Sequence, residues 1–126
     1  MGKPRTQQRH DRGYVMKAAL VIRFGNPVPG REAAALTYGH ELDAFARKNS
    51  GMISEPRWYW SSSGENMVIV EGEYENLLAL TATPEAIKLE NKGMILLQNF
   101  RDELVVVGRD QAEGLYQEAL RELHLV

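Results

Sequence analysis

Residues 52–74, MISEPRWYWSSSGENMVIVEGEY, decide the fold because they form a pattern of two strands joined by a turn. The first half holds both tryptophans of the protein, and the second half is rich in valine and isoleucine. Aromatic and β-branched side chains of this kind are typical of strands. The Ser, Gly and Asn residues at 61–66 are typical of a turn. We therefore predict a β-hairpin.

The register of this hairpin determines which side chains share a face of the sheet. If the two arms meet across residues 61–66, Trp60 lies opposite Met67 and Trp58 lies opposite Ile69. A slip by one residue would rearrange these cross-strand pairs. Because Pro56 cannot donate a backbone hydrogen bond, we expect the first arm at the sheet edge. One face would then carry a mixed set of side chains, namely Trp58, Trp60, Met67, Ile69, Glu71 and Glu73.

The segments on either side of the hairpin alternate between strand and helix patterns. In chain order we predict a strand at 14–24, a helix at 31–48, the hairpin, a two-piece helix at 75–81 and 83–98, a strand at 100–108 and a final amphipathic helix at 111–123. Sequential pairing with right-handed crossovers turns this order into the α+β ferredoxin-like β-α-β-β-α-β arrangement. That arrangement is a four-stranded antiparallel sheet with two helices on one face, here followed by a C-terminal helix.

Helix periodicity also predicts which residues are buried. The helix at 31–48 has an apolar stripe formed by Ala35, Tyr38, Leu42, Phe45 and Ala46. Thr83 precedes Pro84 and is expected to cap the second helical region, because proline is favoured at a first helical position. The final helix has its own stripe, which would close over the same subunit or over a second one: Ala112, Leu115, Tyr116, Ala119 and Leu123.

Length and charge exclude several classes of protein. The 126 residues suit one domain, which we place at 14–126, after a flexible basic tail at 1–13. This tail holds four basic side chains and one acidic one, so the remainder is more acidic than the net charge of −2 suggests. An acidic domain is not expected to bind nucleic acid, because lysine and arginine supply the affinity for phosphates.

The absence of cysteine excludes disulfides, thiolate nucleophiles and cysteine-ligated metals. No apolar run approaches the length of a membrane span, and no apolar segment follows the N-terminal charges, so neither membrane insertion nor secretion is expected. A cytoplasmic protein is the simplest interpretation. The three histidines have no metal-ligand spacing, and we expect neither a metal nor a cofactor.

Several segments together resemble the dimeric α+β barrel superfamily. They are the strand AALVIRF at 18–24, the turn and helix start at 28–32, the helical segments beginning at 75 and 83, and the strand at 104–107. The resemblance implies that two sheets pack face to face as a homodimer and that each subunit keeps a pocket between helices and sheet. Members include cofactor-independent monooxygenases, haem-handling enzymes, isomerases and proteins without known activity. Haem-handling members generally supply a histidine from the second helical region, and residues 75–98 contain none.

The residues favour dimerisation independently of this resemblance. Helices cover only one face of such a sheet, and the predicted register gives the open face an apolar patch. Exposed patches of this kind usually bind a partner. The patch would consist of Val21, Trp58, Trp60, Met67 and Ile69.

The candidate ligand-binding residues are Arg23, Tyr38, Trp58, Trp60 and Glu71. Either tryptophan suits stacking on an aromatic ligand, although packing is the commoner role of tryptophan on a sheet. Arg23, Tyr38 and Trp58 form a candidate pocket set. Glu71 and Glu73 suit acid–base work, but ion pairing with Lys17 and Arg23 is the simpler explanation. A solvated pair is likewise the simpler explanation of His40 and Asp43.

Two functions remain open at this point. One is a small cofactor-independent enzyme, monooxygenase-like or isomerase-like, that binds an aromatic molecule between helices and sheet. The other is a non-catalytic dimeric module that binds a ligand or a protein partner. No phosphate-binding loop, nucleophile elbow or metalloprotease motif selects a reaction.

Overall fold

The computed structural model describes residues 16–124, so the predicted tail at 1–13 lies outside the described residues. The elements are β1 (Lys17–Phe24), α1 (Glu32–Lys48), β2 (Arg57–Tyr59), β3 (Asn66–Glu73), α2 (Tyr74–Thr81), α3 (Pro84–Leu96), β4 (Arg101–Val106) and α4 (Arg109–Glu122). This order and these boundaries follow the sequence prediction closely.

The four strands form one antiparallel sheet in the order β2-β3-β1-β4. Strands β1 and β3 are central and β2 is an edge strand, as Pro56 predicts. Helices α1, α2 and α3 pack on one face, where residues of β1 and β3 meet Tyr38 and Leu42 of α1 and Leu77 of α2. The predicted α+β ferredoxin-like fold is therefore confirmed.

The sequence signals at the helix ends are also confirmed. Thr83 Oγ1 accepts a hydrogen bond from the backbone N–H of Ala86 at 3.3 Å, and Pro84 occupies the first position of α3. In α1, Tyr38, Leu42 and Ala46 are buried at successive helical turns. Ala35 and Phe45 of the predicted stripe are partly buried beside them.

The hairpin register differs from the prediction by one residue. Trp58 pairs with Val68, and Tyr59 pairs with Met67. The loop between the arms closes through Asn66, whose buried side-chain oxygen accepts a hydrogen bond from Ser61 N–H at 3.0 Å. This closure takes Trp60 out of the paired strand. Because side chains alternate along a strand, the slip places Trp58 on the face covered by the helices.

The prediction that both tryptophans lie on the open face is therefore wrong. Val68, the partner of Trp58, is almost fully buried on the helix-covered face. Val21 pairs with Ile69, and Arg23 pairs with Met67, so three members of the predicted patch do share the open face. The open face keeps a smaller apolar patch than predicted.

Ion pairs surround this patch. The Arg23 guanidinium lies 2.5 Å from a Glu103 carboxylate oxygen, and that of Arg57 lies 3.1 Å from Glu71. The sequence predicts that Glu71 and Glu73 pair with Lys17 and Arg23. For Glu71 and Arg23 this prediction is wrong, because Glu71 pairs with Arg57 of β2 and Arg23 pairs with Glu103 of β4. The acidic and basic groups of the open face are thus partly neutralised within one subunit.

Helix α4 stands apart from the other helices. Its first turn is attached through Gln111, whose side chain accepts from Lys17 N–H at 2.6 Å and donates to Val107 O. None of its side chains is fully buried, and Tyr116 is 65% exposed. The predicted apolar stripe of this helix therefore does not close over its own subunit.

Gly93 of α3 packs directly against Phe100, and this contact makes a test of the fold. A methyl group at Gly93 would lie 2.6 Å from Phe100 Cζ, closer than van der Waals contact allows. We expect Gly93→Ala to lower the free energy of unfolding by about 1–3 kcal/mol, measured by urea denaturation. The control is Gly114→Ala in α4, where the added methyl contacts nothing and alanine favours the helix. Equal stability of the two variants would contradict the packing.

Candidate functional site

Two cavities lie between the helices and the sheet. The larger, which we call the aromatic cleft, has a volume of about 440 Å³ and lies between the first half of α1 and the end of β2. The smaller, which we call the inner cavity, has a volume of about 80 Å³ and lies deeper, between β1, α1, α2 and α3. Tyr38 lines both.

Three aromatic rings build the wall of the aromatic cleft. The rings of Trp58 and Trp60 stack with centroids 6.2 Å apart and planes inclined by only 11°. Phe24, buried at the end of β1, meets both edge-on at 6.2 and 5.9 Å. Offset stacking and edge contacts are the favoured geometries for aromatic pairs. The two indoles therefore have a defined arrangement rather than a random surface orientation.

The two tryptophans have different roles. Trp58 is half-buried, and its indole Nε1–H donates to Asp43 Oδ1 at 3.0 Å. This hydrogen bond fixes the ring against α1. Trp60 is 71% exposed at the edge of the cleft. Because Trp58 is fixed and Trp60 stacks on it, the exposed ring of Trp60 presents an ordered aromatic surface to solvent.

His40 lies on the same side of α1 as the cleft and is exposed. The sequence favoured a solvated pair of His40 and Asp43. The structure gives the Asp43 carboxylate a different role, because Asp43 accepts the indole hydrogen bond of Trp58. Asp43 thus stabilises the aromatic wall.

The inner cavity has mostly apolar walls. Leu20, Ile22 and Val70 contribute from the sheet, and Leu42 and Leu77 contribute from the helices. Against these walls lie a few polar side chains: Tyr38, Thr81, Glu90 and Asp102. A small number of converging polar groups in an apolar pocket is typical of ligand sites.

Tyr38 is the most deeply buried of these polar residues, with 3% of its surface exposed. Burial raises the pKa of its hydroxyl well above the ordinary value, and the negative charges of Asp102, Glu90 and Glu41 raise the pKa further. The hydroxyl therefore remains protonated at every physiological pH and acts as a hydrogen-bond donor.

Glu90 of α3 and Asp102 of β4 form a carboxyl pair. The hydrogen bond with Asp102 raises the pKa of Glu90, with smaller contributions from burial and from the charge of Asp102. This neighbour favours the protonated form of Glu90, because two adjacent carboxylates repel each other. Sequence analysis missed both residues. Asp102 and Leu104 lie on the same, helix-covered face of β4. An acidic residue on the buried face of a strand was the one sequence signal that could have pointed to Asp102.

The structure brings together only part of the predicted site. Tyr38, Trp58 and Trp60 line the aromatic cleft. Arg23 and Glu71 lie on the opposite, open face of the sheet, where they pair with Glu103 and Arg57 respectively. Arg23 therefore cannot join Tyr38 and Trp58 in one pocket of the same subunit.

Two further features are absent from residues 16–124. No group of three or more His, Cys, Asp or Glu side chains in this range is arranged to hold a metal ion. None of the helices described there has the length and apolar character that crossing a membrane requires.

Solved structures share this fold at low sequence identity. A candidate antibiotic biosynthesis monooxygenase from Caulobacter crescentus matches with a TM-score of 0.58 and 14% identity, over 80% of this chain and 99% of the other. A protein of unknown function from Nitrosomonas europaea matches with a TM-score of 0.57 and 20% identity, over 77% and 94%. The hydroxynitrile lyase of Passiflora edulis matches with a TM-score of 0.52 and 9% identity, over 73% and 94%.

These likenesses confirm the fold that the resemblance implied, and at such low identity they show the fold alone. No protein-family model matches the sequence, and no curated protein does so either. The neighbours include proteins of unknown function and enzymes of different kinds, so the shared fold does not select a reaction.

The buried hydroxyl of Tyr38 lowers the free energy of unfolding at alkaline pH. Its pKa is raised in the folded state, so the unfolded state loses this proton first and stability falls as the pH rises above about 10. The slope from one such group is about 1.4 kcal/mol per pH unit. We expect Tyr38→Phe to reduce the loss of stability between pH 8 and pH 11, measured by urea unfolding. Tyr59→Phe, at an exposed site, should lose as much stability between pH 8 and pH 11 as the wild-type protein does. If the free energy of unfolding fell equally with pH in both variants, the burial of Tyr38 would be contradicted.

Proposed function

We propose that this protein is a homodimer that binds a small, flat, aromatic molecule in the aromatic cleft. The observation that carries this proposal is the exposed ring of Trp60 stacked on Trp58, which Asp43 fixes, beside a cavity of about 440 Å³. This volume is within the usual range for small-molecule sites, about 300–1,000 Å³. The inner cavity is below this range.

The chemistry of the cleft supports an aromatic ligand. A ring that enters between Trp60 and α1 gains stacking, while Asp43, His40 and Asn66 supply polar groups around the apolar wall. Tyr38 lines the inner end of this cleft. A naphthol, quinone or polyketide-like ring fits these features better than a highly charged ligand.

An enzyme of monooxygenase-like or isomerase-like type is the first candidate for the activity. The support is the shared fold with a candidate antibiotic biosynthesis monooxygenase, together with the polar residues at the helix–sheet cavities. A non-catalytic dimeric module is the second candidate. The exposed apolar stripe of α4 favours it, because such a stripe also suits a protein partner.

Dimerisation through the open sheet face is part of the same proposal. Met67 and Ile69 give this face partly exposed apolar surface without a covering helix, while Val21 on the same face is already buried. The ion pairs of Arg23 with Glu103 and of Arg57 with Glu71 reduce the cost of bringing two such faces together. The exposed stripe of α4 would then pack on the second subunit.

Ligand binding is tested by the intrinsic fluorescence of the two tryptophans during titration with 1-naphthol and 1,4-naphthoquinone. We expect a saturable quench in the wild-type protein. Trp60→Ala should weaken binding by about 3- to 10-fold, since a favourable aromatic contact contributes about 0.5–1.5 kcal/mol, and Trp58 remains as the reporter. Met94→Ala removes a similarly exposed apolar side chain from α3, outside the cleft, and should leave binding unchanged. Equal affinity of wild type and Trp60→Ala would refute the aromatic cleft as the site.

Dimerisation is tested by sedimentation equilibrium at micromolar concentration. We expect a dimer for the wild-type protein and a monomer for Ile69→Lys, which puts an unpaired charge on the open face. The matched control is Ile87→Lys on the exposed side of α3, which should remain dimeric. A wild-type monomer, or a dimer that survives Ile69→Lys unchanged, would remove this part of the proposal.

A further inference from the structure

The hydroxyl of Tyr38 is a buried polar group that the described chain does not satisfy. Within residues 16–124 the Tyr38 oxygen forms no hydrogen bond, although only 3% of the residue is exposed. A buried donor without a partner destabilises the folded state. Such groups in native structures call for an explanation, such as a role in binding or catalysis. Because Tyr38 lines the inner cavity, that cavity is where a ligand could accept this hydrogen bond.

The carboxyl pair lines the same cavity from two other elements. Glu90 comes from α3 and Asp102 comes from β4, and both are half-buried. Two carboxyl groups that line one small cavity can supply a base and a proton donor at one place, and the raised pKa of Glu90 suits it to the donor role. Tyr38 adds a hydroxyl that remains protonated. Leucine, isoleucine and valine side chains form most of the remaining wall, and they keep the local dielectric constant low.

We propose that Tyr38, Glu90 and Asp102 form a proton-transfer site for a small, mainly apolar carbonyl compound that carries an acidic C–H bond next to the carbonyl. The Asp102 carboxylate takes this proton, and the electron pair of the broken C–H bond moves to the carbonyl oxygen to give an enolate. Tyr38 donates a hydrogen bond to that oxygen. Glu90 then protonates the enolate on oxygen or on carbon.

The step is balanced without any other reactant. One proton leaves carbon for Asp102, and one proton leaves Glu90 for the product, so the charge of the carboxyl pair is unchanged. The proton then passes from Asp102 to Glu90 along their hydrogen bond, which restores the starting state. No atom is oxidised or reduced, and the overall reaction is a tautomerisation or the shift of a double bond.

The size of the inner cavity limits the substrate. One water molecule needs about 10–15 Å³ on this measure, so a cavity of about 80 Å³ accommodates a group of a few heavy atoms. A short ketone or the carbonyl end of a longer molecule fits this space. Among residues 16–124, Tyr38 alone lines both this cavity and the aromatic cleft, so substitutions at the other lining residues test the two sites separately.

The charged surroundings supply a matched control. Glu41, on the same helix as Tyr38, is held by Lys92 of α3 at 3.0 Å and does not line the inner cavity. Its charge nevertheless influences Tyr38, as those of Glu90 and Asp102 do. Glu41→Gln therefore removes a nearby carboxylate without changing the proposed proton-transfer groups.

The test follows deuterium incorporation into 2-butanone and cyclopentanone in D₂O by proton NMR. We expect wild type and Glu41→Gln to accelerate exchange equally above the buffer rate. Asp102→Asn and Glu90→Gln should lose about 100-fold or more of this acceleration, the usual contribution of a general acid or base. The wild-type rate should pass through a maximum with pH, because only the singly protonated pair is active. Asp102 on β4 is the neighbouring group that acts on Glu90, whereas Glu41 on α1 acts on Tyr38, whose hydroxyl stays protonated across this profile.

Two results would overturn the proposal. One is that the wild-type protein exchanges deuterium no faster than Asp102→Asn does. The other is that Glu41→Gln loses as much of the exchange rate as Asp102→Asn does. The amide substitutions retain hydrogen bonding between positions 90 and 102, so thermal unfolding should show that these variants remain folded. If they are folded but inactive while 1-naphthol binding is unchanged, the carboxyl pair acts in proton transfer and not in maintaining the aromatic cleft. If exchange persists while naphthol binding is absent, the aromatic-cleft proposal fails alone.

Discussion

The pairing of Trp58 with Val68 is the constraint on which the rest of the structure depends. It puts the indole on the helix-covered face, where the ring meets Phe24 and its nitrogen reaches Asp43 of α1. A register one residue longer would put the same ring on the opposite face. The aromatic cleft exists because the loop closed by Asn66 fixes this register.

The sheet thereby separates two kinds of chemistry. The helix-covered face holds the aromatic rings, the buried Tyr38 hydroxyl and the carboxyl pair of Glu90 and Asp102. The open face holds a small apolar patch among neutralising ion pairs. This division is a consequence of side-chain alternation along β1, β3 and β4, because each strand contributes alternate residues to each face. Side-chain alternation thus gives one sheet two surfaces of different composition.

Much of the fold could be predicted because periodicity and capping residues are local signals. The strand pattern of β1, the stripe on α1 and the Thr83 cap all depend on residues close together in sequence. The hairpin register could not be predicted, because it depends on a hydrogen bond between a loop side chain and the backbone. The candidate site was predicted in part: Tyr38, Trp58 and Trp60 meet, whereas Arg23 and Glu71 face the other side. Glu90 and Asp102 were missed because their contact joins α3 to β4, and no local pattern encodes that approach.

The shortness of β2 has a consequence for how molecules of this protein can associate. An edge strand of three residues presents very few free backbone N–H and C=O groups, and Pro56 immediately before it lacks an N–H altogether. A strand of a second molecule that paired with β2 would gain only a few backbone hydrogen bonds. This border therefore resists the strand-by-strand growth that leads edge-exposed sheets into fibrils.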